Sequence, residues 1–398
     1  MRRGLHLILS SEAPAGDIVG RLSLNVPQMD RPLLAMRSAG GSGGRADARP
    51  GTAVVIVTYG PDDLLRCCLT SVLQQKDALP ARLILVDNNP PERRCDPAII
   101  REAIGSQLAF DLLVPATNLG YGRAVNLALD RLQEEFVLVA NPDLILDPGL
   151  LRRLEDALRA RPTAAAAGPL FASIDGRTPA SIRARPPRLP GELAGLAGLD
   201  RIIRRRSRRP VQGTAIESVD FLSGACFLAR REALAEVRGF DPRFFLYYED
   251  ADLFRRLRAE GWELLLVPGA VARHAHGATW SDPVQQQAAS FQGACRYHRK
   301  HGGRSAEIAY RAGLFLLYAP RLLPGGLILR ILGRRSVLTF RDRLRMLAVT
   351  VRLALSPGDD PAEAPPGEKT NGHSGGEPPL AGRERPVSFQ GRGRGGSP

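Results

Sequence analysis

Residues Thr52 to Thr58 read TAVVIVT, an unbroken apolar run in which Val54, Val55, Ile56 and Val57 are all β-branched. A run this short, apolar and free of alternation forms a strand covered on both faces, so helices are needed on two sides of it. The next residues supply one: Pro61-Asp62-Asp63 opens an amphipathic helix, Leu64 to Gln75, with acids at its electropositive end. The unit then recurs. A strand from Arg82 to Val86 ends in Asp87-Asn88-Asn89, and a helix from Pro97 to Ser106 leads to a strand from Leu108 to Val114. A helix from Gly122 to Gln133 leads to a strand from Phe136 to Val139 and the turn Asn141-Pro142-Asp143, and a helix from Leu150 to Arg161 closes the series. Strands and helices alternating at this spacing predict an α/β fold built on a parallel sheet.

In such sheets ligands bind at the carboxyl ends of the strands. The polar clusters fall there: Thr58-Tyr59, Asp87 to Asn89, Asn118 to Tyr121 and Asn141 to Asp143. Asn, Asp, Gly and Pro are also ordinary turn formers, and one such cluster would signify only a turn. Four in succession point to a site.

The pattern loosens after a strand at Ala165 to Leu170. A segment with six arginines, Arg201 to Arg209, precedes renewed order at Glu217 to Leu228 and a helix at Arg231 to Val237. Phe244 to Asp252 reads FFLYYEDAD, followed by a helix from Asp252 to Glu260 and a strand from Glu263 to Val267. Beyond Ser281 the chain is helical and basic to about Leu355.

Three groups of residues carry chemistry. Asp143, just past a buried strand and beside Asn141, offers the oxygen ligands that a hard divalent cation requires, although an Asn-Pro-Asp turn also suits a helix start at Asp147-Pro148. Glu249, Asp250 and Asp252 lie within four residues next to Phe244, Phe245, Tyr247 and Tyr248. Helix capping accounts for one of these acids; three beside an apolar segment call for a compensating cation or proton. His274 and His276 follow the strand Glu263 to Val267 by a short connection, and a histidine in such a place is more often a satisfied surface group than a ligand.

Composition bounds the remainder. The formal net charge of +14 favours a polyanionic partner such as nucleic acid, an anionic membrane face or a phosphate-rich substrate. Five cysteines without metal-ligand or redox spacing indicate a reducing compartment and inert thiols. Residues 1–51 read as a flexible leader, with Met29 and Met36 as alternative starts. The apolar stretch Leu5 to Leu9 is too short for a span, and nothing later reaches the ~20 apolar residues of a transmembrane helix. Residues 357–398, dense in Pro, Gly and charge, cannot bury enough surface to fold. This leaves 52–280 as an α/β domain and 281–356 as a basic helical region. A dinucleotide-dependent dehydrogenase is excluded, because Thr58-Tyr59-Gly60-Pro61 stands where a Gly-x-Gly-x-x-Gly would follow the first strand.

Taken together, VVIVTYG at Val54, LILVDNN at Leu83, NLGYGRAVN at Asn118 and NPD at Asn141 resemble the family-2 glycosyltransferases. So do LSGACFLARREAL at Leu222, GFDPRFFLYYEDADLFRRLRAEGW at Gly239 and VPGAVARH at Val267, with the match nearest the rhamnosyltransferase-like branch. It covers roughly Thr52 to Trp280. The resemblance implies a GT-A fold, Rossmann-like with a mostly parallel sheet. It implies that Thr58, Tyr59, Asp87 and Asn89 line a nucleoside pocket, with Asp87 facing the base. Asn118, Gly120, Arg123 and Asn141 lie near the donor sugar or phosphates. Asp143 stands at the end of the family's Asp-X-Asp metal motif, with His274 completing the site in some relatives. Asp250 matches the catalytic base, with Glu249 beside it. The first acid of Asp-X-Asp is Asn141 here, a neutral ligand that lowers the expected affinity for Mg²⁺ or Mn²⁺.

The expected activity is therefore inverting transfer of a sugar, rhamnose among the candidates, from a nucleotide-diphosphate donor to a saccharide or lipid-linked acceptor in cell-surface polysaccharide or glycolipid synthesis. The arginine-rich stretches with Leu314 to Ala319 and Leu327 to Leu332 suit a helix lying on an anionic leaflet, so a cytoplasmic chain peripheral to the inner membrane face is expected. Two alternatives differ in class. A nucleic-acid binder fits the charge, but the basic runs lack aromatic platforms and match no recognition motif; nucleic acid is therefore not expected as a partner. A non-catalytic scaffold of the same fold is disfavoured because Asp143, Glu249, Asp250 and His274 are all retained.

Overall fold

The structure is a computed structural model that describes residues 49–60, 62–174, 186–199, 215–274, 282–322 and 339–355. Arg201 to Arg209, His276 and Leu327 to Leu332 lie outside the described residues, as do the leader up to residue 48 and the tail from 356.

Four strands form the parallel half of one sheet: β1 (Arg49–Thr58), β2 (Arg82–Asp87), β3 (Phe110–Leu113) and β4 (Glu134–Ala140). The helices between them are α1 (Asp62–Leu73), α2 (Pro97–Ile104) and α3 (Tyr121–Leu129). After β5 (Leu144–Leu146), α4 (Leu150–Ala160) and β6 (Ala164–Ser173), a short α5 (Leu189–Leu196) precedes β7 (Glu217–Val219) and β8 (Cys226–Arg230). Then come α6 (Arg231–Glu236), α7 (Glu249–Ala259), β9 (Glu263–His274), α8 (Pro283–Gly313, two helical pieces that meet at a bend at Gly303) and α9 (Phe340–Leu355). The sheet order is β3-β2-β1-β4-β8-β6-β9-β5, with β7 also paired to β9.

The TAVVIVT run behaves as its composition requires. Val54 and Ile56 pack with Leu65, Leu69 and Leu151 on one side. Ala53, Val55 and Val57 pack with Val125, Leu253 and Phe254 on the other. Alternate residues thus feed two cores, as in a strand buried on both faces.

The parallel expectation holds for β1 to β4 and again for β6 beside β9; the other pairs run antiparallel, β8 to β4 and β6, and β5 and β7 to β9. Two further differences matter for the site. The strand expected to stop at Val267 continues to His274, across a register shift where Pro169 faces Val267 and Leu170 faces Val271. Pro268-Gly269 looks like a strand end because proline cannot donate to a ladder, but a bulge accommodates it. Asn141-Pro142-Asp143 does not cap a helix directly either, since β5 intervenes before α4.

Candidate active site

Register gathers the polar clusters. Thr58 pairs with Asp87, and Ile56 with Ala140, so the carboxyl ends of β1, β2 and β4 share one edge of the sheet. Thr58 is buried and its carbonyl accepts from the Asn88 N–H at 2.9 Å. The Asn89 amide bridges two strands: its Oδ1 accepts from Gly60 N at 2.8 Å and its Nδ2 donates to Asp87 Oδ1 at 2.9 Å. Tyr59 stays half-exposed at this rim.

Asp87, expected to face a base, is fully buried, with its oxygens already engaged by the chain. Oδ1 accepts from Asn89 N at 3.1 Å and Oδ2 from Cys95 N at 2.9 Å. This carboxylate shapes the rim by fixing the 88–95 loop.

The second cluster is similarly self-held. Asn118 Oδ1 accepts from Gly120 N at 2.8 Å, and Asn88, unassigned from sequence, accepts from Leu119 N at 2.9 Å while donating to Gly120 O at 3.2 Å. Gly120 has φ +78°, and a Cβ there would lie 2.2 Å from the Phe245 carbonyl oxygen. Its requirement is close approach of the 245 backbone, sealed by Tyr121 N donating to Phe245 O at 2.9 Å. Arg123 Nε donates to Pro242 O at 2.6 Å, so that side chain also ties α3 to the segment before α7.

Across the sheet edge lie the acids. Asp143 is buried, its Oδ1 makes no hydrogen bond, and His274 Nε2 stands 3.3 Å from that oxygen. β5 brings them together, because Leu144 pairs directly with His274. Asn141, half-exposed, donates its N–H to Ala225 O at 2.8 Å. Among the described residues no group of three His, Cys, Asp or Glu forms a closed metal site. A buried carboxylate oxygen without a partner, next to an imidazole, fits an open divalent site in which diphosphate oxygens and water complete the shell.

The three acids of the EDAD run separate in role. Asp252 is fully buried and ringed by the cations Arg256, Nε at 2.7 Å, and Lys300, Nζ at 2.5 Å, with His301 Nε2 at 2.8 Å. Burial pushes its pKa up, but hydrogen bonds from His301 and Lys300 with the Arg256 charge outweigh that and hold it below the usual range. The compensating cation that the sequence calls for is supplied to Asp252 by Arg256 and Lys300 rather than by a metal, and Asp252 is an ion-pair anchor for α8.

Among the described residues no such cation pairs with Glu249 or Asp250. Glu249 is buried with Oε2 unpartnered, and burial, reinforced by the Asp250 charge, pushes it up to about 8. Asp250 remains part-exposed; burial raises it too, against hydrogen bonds from Gly224 N at 3.0 Å and Ala251 N at 2.8 Å that favour the charged form. Of the two, Asp250 has the backbone N–H groups that favour a charged carboxylate, and Glu249 is the one that burial and its neighbour push towards keeping a proton. A part-exposed carboxylate held by two N–H groups can accept a proton from a bound hydroxyl.

The turn before them is strained. Tyr247 and Tyr248 have φ of +65° and +68°, unusual for consecutive non-glycine residues. Gln286 Nε2 donates to Tyr247 Oη at 2.9 Å, and Tyr248 Oη donates to Glu192 at 2.6 Å. Tyr121 Oη, also overlooked, donates to Gly224 O at 2.8 Å and thereby braces the residue that holds Asp250. The signal was present in NLGYG and LSGA, whose spacing gives no hint that they meet.

A family model described as "Glycosyltransferase like family 2" matches residues 50–293, more than half of the chain. The chain belongs to glycosyltransferase family 2. Two similar proteins are the N-acetylglucosaminyl-diphospho-decaprenol L-rhamnosyltransferases of Mycobacterium tuberculosis strains CDC 1551 / Oshkosh and ATCC 25618 / H37Rv. Each is 34% identical over 255 residues, covering 59% of this chain and 80% of theirs. Among solved structures, the mannosyltransferase PcManGT of Pyrobaculum calidifontis, in complex with GDP-Man and Mn²⁺, matches at TM-score 0.43 and 16% identity, over 78% of this chain and 89% of that one. GalNAc-T7 with UDP, GalNAc and Mn²⁺ matches at TM-score 0.48 and 14% identity, over 76% and 57%. This family-2 glycosyltransferase is therefore an enzyme, and its mixed, mostly parallel sheet is joined to a helical C-terminal region.

Proposed function

We propose that this enzyme transfers a sugar with inversion, using Asp250 as general base, from a nucleotide-diphosphate donor to a lipid-linked saccharide. The observation that carries the reading is the split pair: a part-exposed Asp250 held by two backbone N–H groups beside a proton-retaining Glu249. The acceptor oxygen attacks the anomeric carbon, the bond from that carbon to the diphosphate oxygen breaks, and Asp250 takes the hydroxyl proton. General-base assistance of this kind contributes roughly 10²–10⁴-fold. The nucleoside lies over Thr58, Tyr59 and the Asp87–Asn89 loop, and the diphosphate faces Asn141 and Asp143. Asn118, Gly120 and Arg123 serve the donor side by fixing the Phe245 and Pro242 backbone. Asp143 and His274 would hold Mg²⁺ or Mn²⁺, whose charge offsets that developing on the leaving diphosphate.

Likeness to the two rhamnosyltransferases supports L-rhamnose as the sugar and a polyprenyl-diphosphate saccharide as the acceptor. Such an acceptor supports a chain attached peripherally at the cytoplasmic face of a membrane. Among the described residues no helix is long and apolar enough to cross one.

The test is a screen of nucleotide sugars with Mg²⁺ or Mn²⁺, reading release of nucleoside diphosphate. Metal-dependent release from one donor is expected, reduced at least ~10²-fold in Asp250→Asn while calorimetric donor binding persists. An Asp250→Asn variant retaining more than about a tenth of turnover would remove the base assignment.

A further inference from the structure

Large apolar side chains are not left exposed at random in this enzyme. Of the eleven exposed ones among the described residues, seven lie in the C-terminal helical region: Ile308, Phe315, Leu316, Leu317, Phe340, Leu344 and Leu355. Their spacing follows the helices. Ile308, Ala312, Phe315 and Leu316 form one outward stripe at the end of α8, opposite Tyr310, Gly313 and Leu314, which face the core. A π turn from Leu314 to Tyr318 broadens that outward face, so that Phe315, Leu316 and Leu317 are exposed in succession, Leu316 to 66%. On α9, Phe340 (69% exposed), Leu344, Ala348 and Leu355 form a second outward stripe.

A helix apolar on its inner and outer sides is either buried by a partner or facing an apolar phase. The charge around these stripes indicates which. Exposed Arg304 and Arg321 bound the first, and exposed Arg341, Arg345 and Arg352 run beside the second. The acids within 304–322 and 339–355 are Glu307, which is buried and paired with Arg299 and Arg311, and Asp342, which is half-buried. The two elements share one core through Leu314, Leu322, Met346 and Leu353, so the stripes belong to one folded unit. Outward apolar residues flanked by arginines, without exposed acids, match the requirements for insertion at the headgroup level of an anionic bilayer.

We infer that the end of α8, its π turn and α9 form a surface that docks on an anionic lipid bilayer, with Phe315 and Leu316 entering the headgroup–acyl boundary. This deepens the reading of a lipid-linked acceptor by naming the surface that meets the membrane, and none of its residues belongs to the transfer site.

The test is flotation of the full chain with phosphatidylglycerol–phosphatidylcholine vesicles and with phosphatidylcholine vesicles, at moderate salt. The wild-type protein should float with the anionic vesicles and at least about tenfold less with neutral ones. Phe315→Ser/Leu316→Ser should lower the bound fraction at least about tenfold, while its melting curve and donor hydrolysis match wild type. Phe340→Ser, on the other stripe, gives an independent reading should the double variant fold poorly. Equal flotation of both variants and wild type, or no flotation of wild type, overturns the inference. A wild-type dimer that the double variant dissociates, seen by sedimentation velocity, also overturns it, because a second copy would then cover the patch. Loss of vesicle binding with donor hydrolysis intact leaves the transfer reading standing; absence of hydrolysis with flotation intact does the reverse.

Discussion

At the scale of single residues, adjacent acids divide by environment. Asp252, ringed by Arg256, Lys300 and His301, is charged and structural. Glu249, three residues earlier, is buried without a cation and rises from the ordinary carboxylate value of 4.5 to about 8. A carboxyl raised in the folded state leaves the native protein holding a proton that the unfolded chain has released. Its contribution to stability is therefore complete below pH 4.5 and lost as pH climbs through about 8. Over that interval Glu249 costs the native state up to ~1.4 kcal/mol per pH unit. Glu249→Gln keeps the shape and removes the titration. Its melting temperature should gain on wild type as pH goes from 6 to 9, with little difference near pH 5. Parallel melting curves across that range would show that Glu249 titrates normally.

At the scale of elements, the site depends on close approach between segments remote in sequence. Gly120 is the sharpest case: a backbone at φ +78° and ψ 174°, a region essentially reserved for glycine, and the Phe245 carbonyl leave no room for a methyl group. Gly120→Ala should destabilise the fold by about 1–3 kcal/mol from strain and overpacking, measured by urea denaturation. Its activity loss should fall mainly on kcat, since the displaced 245 segment leads into the Tyr247–Asp250 turn rather than into the nucleoside rim. A variant with wild-type stability would leave Gly120 as a donor contact only. NLGYG marked the position, but the Phe245 carbonyl is 125 residues away in the chain, and no local pattern encodes that meeting. The buried strands β1, β2 and β4 were legible because burial on both faces writes a continuous apolar run. The length of β9 was not, because Pro268-Gly269 mimics a terminus and only pairing with β6 and β5 carries the strand on to His274. Asp143 and His274 were each singled out from sequence, yet their juxtaposition is a property of that ladder.

At the scale of the whole molecule, the α/β half and the helical C-terminal region are divided in sequence near Ser281 but not in their packing. Tyr297 of α8 is buried against Phe244 and Ala251, flanking the acids. Lys300 and His301 supply two of the three side chains that bond Asp252, and Lys300 also meets Asp241 at 2.6 Å. His298 and Tyr248 converge on Glu192, the imidazole at 2.7 Å. Removing α8 would leave Asp252 and Glu192 short of partners and uncover Phe244 and Tyr248. Breaking one buried ion pair costs roughly 3–5 kcal/mol, a large share of the 5–15 kcal/mol that stabilises a whole domain. A chain ending at residue 281 should therefore fail to unfold cooperatively, even though it retains every residue proposed for donor, metal and base. Chemical denaturation followed by tryptophan emission tests this, since Trp262 sits beside α7. A cooperative transition near the wild-type midpoint would mean that the α/β half folds unaided and that α8 serves the membrane surface alone. The expected broad, early transition would mean that the helix before the bend at Gly303 holds the catalytic turn in place while the helix after it presents the lipid-facing residues, so that docking and transfer meet across one bend.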